Sequence, residues 1–261
     1  MSIEETIEDA VSVLTLNRPD VLNAFDDEMG SALVDSVGRA AADLSIRCIV
    51  ITGAGRAFSS GEDLGALTSV YGTGTPPDLG ATLRDRYNPL VRAIRAAPKP
   101  VVAAVNGVAA GAGASIALAC DFRLASERAK LVFAFVRVGL VPDSGALWFL
   151  SNMVGASKAW ELAATGNAVS AEEARRLGIF HQVITQDEFG ARWLEFAREL
   201  AAGPTAAYAL MKRLINDVPH SSLDDQLERE VDAQTAAGRT TDHAEGVRAF
   251  LDKRPAVFRG E

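Results

Sequence analysis

At 261 residues, with 48% hydrophobic and 23% charged side chains, the chain can bury one large core, or a core with a small appendage, and is too apolar to stay disordered. Its 26 basic and 34 acidic residues give a formal net charge of -8, and no Lys/Arg cluster stands out, which speaks against nucleic acid or an anionic membrane surface as a partner. Two cysteines, Cys48 and Cys120, are too few for a disulfide framework, and the acidic N-terminus MSIEETIEDA has no basic apolar leader, so a reducing, cytoplasmic location is expected.

Along the chain, β-branched runs at 11–16 and 46–52 predict strands. Between them, 26–44 predicts a helix with an acidic first turn and with Met29, Leu33, Val34 and Val37 at helical spacing. A second helix over 79–95 is stopped by Pro100, a buried strand follows at 101–105, and 111–119 has the small-residue texture of a helix packed closely on a sheet. The apolar stretch 101–120 is broken by Asn106, Gly107, Gly111, Gly113 and Ser115, which excludes a membrane span there. Such alternation predicts an α/β core. From Gly155 onward the texture turns helical, with helices expected at 157–165, 170–177 (Ser170 and Glu173 forming a capping box), 188–201, 205–216, 223–237 and 242–253, and one short strand at 181–184. The division is a core over 1–200 and a helical region over 201–261 that needs a neighbour to pack on, within the chain or on another subunit. The stretch 71–77, Tyr-Gly-Thr-Gly-Thr-Pro-Pro, reads as a surface loop.

Several motifs fail on spacing. Gly53-x-Gly55 and Gly111-x-Gly113 lack the third glycine of a dinucleotide fingerprint, with Phe58 and Ile116 in its place. The histidines His181, His220 and His243 are scattered and no C-x-x-C occurs, so no metal site is expected. Two junctions remain where a strand ends in small residues: 49–64, containing Ala57-Phe-Ser-Ser-Gly-Glu-Asp-Leu64, and 101–115, containing Gly111-Ala-Gly113. Two main-chain N–H groups converging from such loops would bind an oxyanion, the second from a helix N-terminus. Tight turns and close packing alone explain the same glycines.

Taken together, Asn17-Arg-Pro19 with Asn23-Ala24, the 57–64 string, Asn106-Gly107 with Gly111-Ala-Gly113, Cys120-Asp121, Gly139-Leu-Val-Pro142 and Phe250-Leu-Asp-Lys-Arg-Pro255 resemble the crotonase, or enoyl-CoA hydratase/isomerase, superfamily. The resemblance spans nearly the whole chain. It implies a spiral of ββα units with a C-terminal helical trimerisation region, an acyl-CoA thioester substrate and an enolate intermediate. It places the oxyanion donors at the N–H groups of Glu62 and Ala112, and it makes CoA part of the substrate, with no metal or redox cofactor. Arg18, Leu22, Ala24, Ala57, Ser59, Ser60, Gly61, Asp63, Leu64, Gly111 and Phe135 become substrate-binding candidates. Phe250 and Lys253 are expected to meet the nucleotide of CoA held by a neighbouring subunit, in a homotrimer or a dimer of trimers.

The family's two hydratase glutamates align with Ser115 and Phe135, which can neither activate water nor deliver a proton, so hydration is not expected. A carboxylate stands instead at Asp143, among Val138, Leu140, Val141 and Leu147. With the 109–115 string this resembles the ring-epoxide isomerases of phenylacetate breakdown and, more loosely, the Δ3,Δ2-enoyl-CoA isomerases. Asp143 then shuttles a proton, its pKa raised by burial. Without the resemblance, an N-cap for the helix through Leu147 to Met153 is the better reading of Asp143. Asp63 and Asn106 are expected to fix loops, Arg18 and Lys253 to sit on a solvated face, and the acyl pocket to draw on Phe25, the 67–87 segment, Phe133, Phe135 and Trp148. A hydratase or thioester hydrolase using Glu62 or Asp143, and a non-catalytic relative, are the alternatives.

Overall fold

The computed structural model describes residues 1–65 and 77–261, so most of the loop expected at 71–77 lies outside the described residues. Two sheets organise the chain. The larger holds β1 (Ile3–Glu8), β2 (Val11–Leu16), β3 (Cys48–Gly53), β5 (Val101–Val105), β7 (Phe122–Ser126) and β10 (Gln182–Ile184) in that spatial order, parallel except for the β1–β2 hairpin. The smaller holds β4 (Ala57–Ser59), β6 (Val108–Ala110), β8 (Lys130–Val132) and β9 (Ala168–Ser170), parallel through β8.

The chain winds between them. β3 leads to β4, β5 to β6 and β7 to β8, and each step adds one strand to either sheet before a helical segment returns it. This is a spiral of ββα units. The helices are α1 (Asp27–Ala42), α2 (Leu79–Thr82), α3 (Asn88–Ala96), α4 (Ala112–Ala119), α5 (Ala146–Thr165), α6 (Ala171–Arg176), α7 (Phe189–Ala202), α8 (Thr205–Asp217), α9 (Leu223–Ala237) and α10 (Thr241–Asp252). No helix among the described residues is long and apolar enough to cross a membrane.

The central strands of the larger sheet are covered on both faces, which is why β3 and β5 read as apolar runs. Leu14, Ile49, Ile51, Ala103 and Val105 face a core shared with α1, α3, α4 and the smaller sheet. Val13, Cys48, Val50, Val102 and Leu124 point the other way, against Phe189, Ala197 and Ala201 of α7. At Gly113, an added Cβ would lie 2.7 Å from the Ser59 carbonyl oxygen, so the glycine lets α4 lie directly on the end of β4.

Several expectations need correction. The helix expected over 79–95 is interrupted by a π turn at Leu83–Tyr87. The strand expected from 46 begins at Cys48, because Ile46 is held in a turn by the Asp43 carbonyl. The helix expected from 157 is the second half of α5, whose first half begins at Ala146; Gly155, at φ 78 and ψ 159, breaks the two. The strands β4, β6, β8 and β9, of three residues each, are too short to show a period. The helices after Gly203 pack partly on the core: Lys212 of α8 reaches the Asp121 carboxylate at 2.7 Å.

Candidate active site

The ends of β4, β6 and β8 meet at a cavity of about 260 Å³. Among the described residues its walls are Ser60, Glu62, Leu64, Leu79, Thr82, Leu83, Tyr87, Gly111, Ala112, Ala134, Phe135, Val138, Leu140, Val141 and Asp143. The lining is therefore apolar apart from main chain, Ser60, Thr82, one phenol and two carboxyl groups.

The first wall follows β4. Asn23, fully buried, donates from Nδ2 to the carbonyls of Ala54 and Ala57, at 2.9 and 2.8 Å. The Ser59 hydroxyl donates to the Asn23 carbonyl and accepts from the Gly61 N–H. Gly61, at φ +95, then turns the chain. Its carbonyl accepts from Phe25 N–H, and the Asp63 N–H returns to the Phe25 carbonyl. That pairing leaves the Glu62 N–H on the opposite side, with no acceptor among the described residues.

The second wall follows β6. Gly111, at φ 50, donates to the Val132 carbonyl, and Ala112 opens α4. As the first helical residue, Ala112 has an N–H with no intrahelical partner. A Cβ built on Gly61 would lie 3.3 Å from that nitrogen, so the two donor-bearing turns are in contact. Two N–H groups thus converge where a carbonyl oxygen could sit, at a helix end that favours developing negative charge.

The third wall is the 3-10 turn Ala134–Val138 after β8 and the chain beyond it. Phe135 is 7% exposed and contributes its ring to the wall. Asp143 is half-buried. Desolvation raises its pKa, the Ser144 hydroxyl at 2.8 Å opposes the shift, and the charge of Glu62 adds to it. Its carboxylate does not cap α5, contrary to the simplest reading: Gly145 is the N-cap, and only the Asp143 carbonyl accepts, from Ala146 N–H.

Glu62 is differently placed. Its carboxylate accepts from Arg86 Nη1 at 3.2 and 3.1 Å and from the Tyr87 hydroxyl. Arg86 in turn pairs with Asp27 at 2.8 Å. From the sequence, Arg86 and Tyr87 belong only to the 67–87 segment expected to line the acyl pocket, of which Leu79, Thr82, Leu83 and Tyr87 do line the cavity. Their link to Glu62 was not read, because nothing local ties residues 24 and 25 positions away to it.

The remaining sequence candidates fall into distinct places. Ser60, Leu64, Gly111 and Phe135 line the cavity. Ala57 and Ser59 stand behind it in β4, and Leu22 and Ala24 flank Asn23, with the Leu22 carbonyl accepting from Ser60 N–H. Arg18 is not a free surface cation: it pairs with Asp26 at 3.1 Å and Asp63 at 2.9 Å and donates to the Ala24 carbonyl. Asn106 donates to the carbonyls of Gly53, Gly55 and Ala57. Phe25 and Phe133 are core residues rather than walls, and Trp148 borders a different groove beside Phe149 and Ile215. Leu67, with 66–76 as a whole, lies outside the described residues. Phe250, 83% exposed, and Lys253, which ends α10 at φ 55, lie apart from the cavity in their own chain.

A spiral of ββα units carrying two convergent main-chain donors over an apolar cavity defines a CoA-thioester enzyme of the crotonase class. Residues 6–261 match the enoyl-CoA hydratase/isomerase family, and the chain belongs to it. It is 46% identical over 255 residues to the 1,2-epoxyphenylacetyl-CoA isomerase of Escherichia coli (strain K12), covering 98% of this chain and 97% of that protein. It is 41% identical over 259 residues to a Rhodobacter capsulatus protein named "Probable enoyl-CoA hydratase", covering 99% and 98%. The crystal structure of an enoyl-CoA hydratase from Polaromonas sp. JS666 superposes with a TM-score of 0.92 at 35% identity, covering 98% and 99%.

Proposed function

We propose that the chain is an acyl-CoA isomerase with Asp143 as its proton shuttle. The observation that carries this reading is a half-buried carboxyl of raised pKa in the apolar wall of the cavity that Glu62 and Ala112 also line. The Asp143 carboxylate removes a proton from the α carbon of a 3-enoyl thioester. The electron pair moves toward the thioester oxygen, held by the N–H groups of Glu62 and Ala112, and the proton returns at the γ carbon to leave the 2-enoyl isomer. One proton moves and no electrons leave the substrate, so the step needs no redox cofactor, and the two N–H groups take the charge that a metal would otherwise hold. Likeness to the Escherichia coli isomerase extends the proposal to thioesters carrying a ring epoxide.

The hydratase names among the relatives favour a second reading, addition of water. Two residues weigh against it. The Ser115 hydroxyl donates to the Gly111 carbonyl inside α4, and Phe135 fills its place with a ring. Neither holds water in position for attack. Incubating 3-hexenoyl-CoA with the enzyme tests the choice: formation of the 2-enoyl product without 3-hydroxyacyl-CoA supports isomerisation, and accumulation of the hydroxy product refutes it.

We further propose that the core over 1–200 carries the site and that 201–261 forms a trimer or a dimer of trimers. Leu223, Leu227 and Val231 of α9 and Val247, Phe250 and Leu251 of α10 are exposed apolar side chains that a second copy would cover. In that assembly Phe250 and Lys253 reach the CoA nucleotide of the adjacent subunit. Two free, buried cysteines suit a reducing compartment, and cytoplasm is the proposed location.

A further inference from the structure

We infer that Tyr87 and Arg86 are positioning residues: by clamping the carboxylate of Glu62, they hold that residue's own N–H on the thioester oxygen. The inference rests on the reading of Glu62 and Ala112 as the oxyanion donors.

Three observations carry it. First, Glu62 points an ionisable side chain at an apolar cavity, yet its carboxylate is already engaged by a guanidinium and a phenol. The peptide just before it turns at Gly61, a residue with no side chain to steady it, and Phe25 holds the main chain on either side of Glu62, through the Gly61 carbonyl and the Asp63 N–H. The clamped side chain adds a tether at Glu62 itself, so the donor cannot swing away as charge builds on the oxygen.

Second, the clamp is shaped by irregular backbone. Arg86 and Tyr87 are consecutive, and an α-helix would aim consecutive side chains well apart. They close a π turn, a distortion often found at functional sites, and both reach the same carboxylate. The stem of Arg86 passes through space that only a glycine leaves open: a Cβ on Gly30 of α1 would lie 2.3 Å from Arg86 Cδ.

Third, the arrangement is a poor device for stability alone. Arg86 has a side chain only 8% exposed, and its Nε is buried without a partner among the described residues. A buried ion pair of this kind is at best weakly stabilising, and the unpaired donor adds a penalty. It does set a guanidinium and a phenol on the carboxylate of a residue whose N–H is one of the two proposed oxyanion donors.

The test uses Tyr87→Phe, Glu62→Gln and Arg86→Met beside the unaltered enzyme, with butyryl-CoA carrying carbon-13 at its carbonyl as the infrared probe and 3-hexenoyl-CoA as the substrate. Tyr87→Phe keeps the buried ring, so it should fold. It is expected to lose kcat about tenfold, short of the 10²–10³ that follows deletion of a donor, with KM within about twofold. Its bound thioester carbonyl stretch should move back toward that of free thioester. Glu62→Gln still offers an oxygen to Tyr87 and should keep most of the carbonyl shift. Tyr87→Phe with unchanged kcat and unchanged carbonyl frequency overturns the inference. So does Glu62→Gln falling as far as Asp143→Asn while its carbonyl shift persists, since Glu62 would then be carrying protons. If the unaltered enzyme itself leaves the carbonyl unshifted, the oxyanion-hole reading fails first and takes the clamp with it.

Discussion

Gly61→Ala places a methyl group against the main chain of both donor turns. The residue sits at φ +95, a conformation that costs an L side chain on the order of 1–3 kcal/mol. The added Cβ lies 2.9 Å from the Ala110 carbonyl oxygen, 3.3 Å from the Ala112 nitrogen and 3.4 Å from Gly111 Cα. All three are main-chain atoms, so no side chain can swing aside. A thioester oxygen accepting from Ala112 needs to approach to roughly 2.7–3.1 Å, and a methyl at 3.3 Å from the same nitrogen crowds that approach. Loss of one such donor costs on the order of 10²–10³ in turnover, about 2.7–4 kcal/mol, and the turn also carries the Glu62 donor, so a fall of at least about a hundredfold is expected. The assay is conversion of 3-hexenoyl-CoA, with a thermal melt to show that the variant folds. A folded Gly61→Ala enzyme within tenfold of the unaltered rate would show that these turns do not hold the oxyanion.

Asp143→Asn should lower turnover by roughly a hundredfold or more while preserving thioester affinity, measured by steady-state kinetics and calorimetry. Because burial raises the Asp143 pKa, its folded form prefers the proton: the stability contribution is present below the ordinary value of 3.8 and is lost as pH rises through the raised one. The Asn variant should therefore melt higher than the unaltered enzyme at neutral pH, with the gain disappearing in acid, and the acid limb of the turnover profile should lie above 3.8. Gly30→Ala should destabilise, although alanine is favoured over glycine in a helix by about 1 kcal/mol, because Arg86 must be displaced at an overpacking cost of about 1–3 kcal/mol. A denaturant melt showing a gain with unchanged kcat would mean that the Arg86 stem moves freely. Light scattering at micromolar concentration should give a multiple of the 27.6 kDa chain mass, three or six, and a value near one chain refutes the shared-site proposal.

The central strands of the larger sheet were legible because they are buried on both faces, so Val101–Val105 carries a continuous apolar signal and Val11–Leu16 a largely apolar one, whereas β1, exposed after Ile3, and β7, which carries Arg123, were not read. Nor was the smaller sheet. Its strands are three residues long, and their pairing depends on the spiral placing Ala57 beside Val108 and Leu131 beside Ala109. The donor turns were visible as glycine-rich junctions after strands, and the family resemblance assigned one amide in each, that of Glu62 and that of Ala112. The side chains that brace them were hidden by distance: the strut from Asp27 through Arg86 to Glu62 joins three segments that no periodicity links. Trp148 shows the opposite failure. An aromatic five residues after Asp143 looks like a pocket wall, but α5 turns it toward His220 and the Arg95–Phe149 groove.

Two carboxylates in one cavity raise the question of which exchanges a proton with substrate, and their surroundings separate them. Glu62 accepts from a guanidinium and a phenol, partners that stabilise the charged form and give up no proton of their own near neutral pH: an arginine cannot, and burial together with the Glu62 charge pushes the Tyr87 hydroxyl upward. Asp143 has a serine hydroxyl and an apolar wall. Burial raises the pKa of the Asp143 carboxyl, so in the proposed step it is the group placed to take up and return a proton, while Glu62 is held by its two partners. On that logic the same backbone cage would become a hydratase only by gaining further carboxylates able to hold water. Ser115 and Phe135 stand where the family resemblance aligns the hydratase glutamates, and a double substitution, Ser115→Glu with Phe135→Glu, would have to create hydration activity without moving the donor turns.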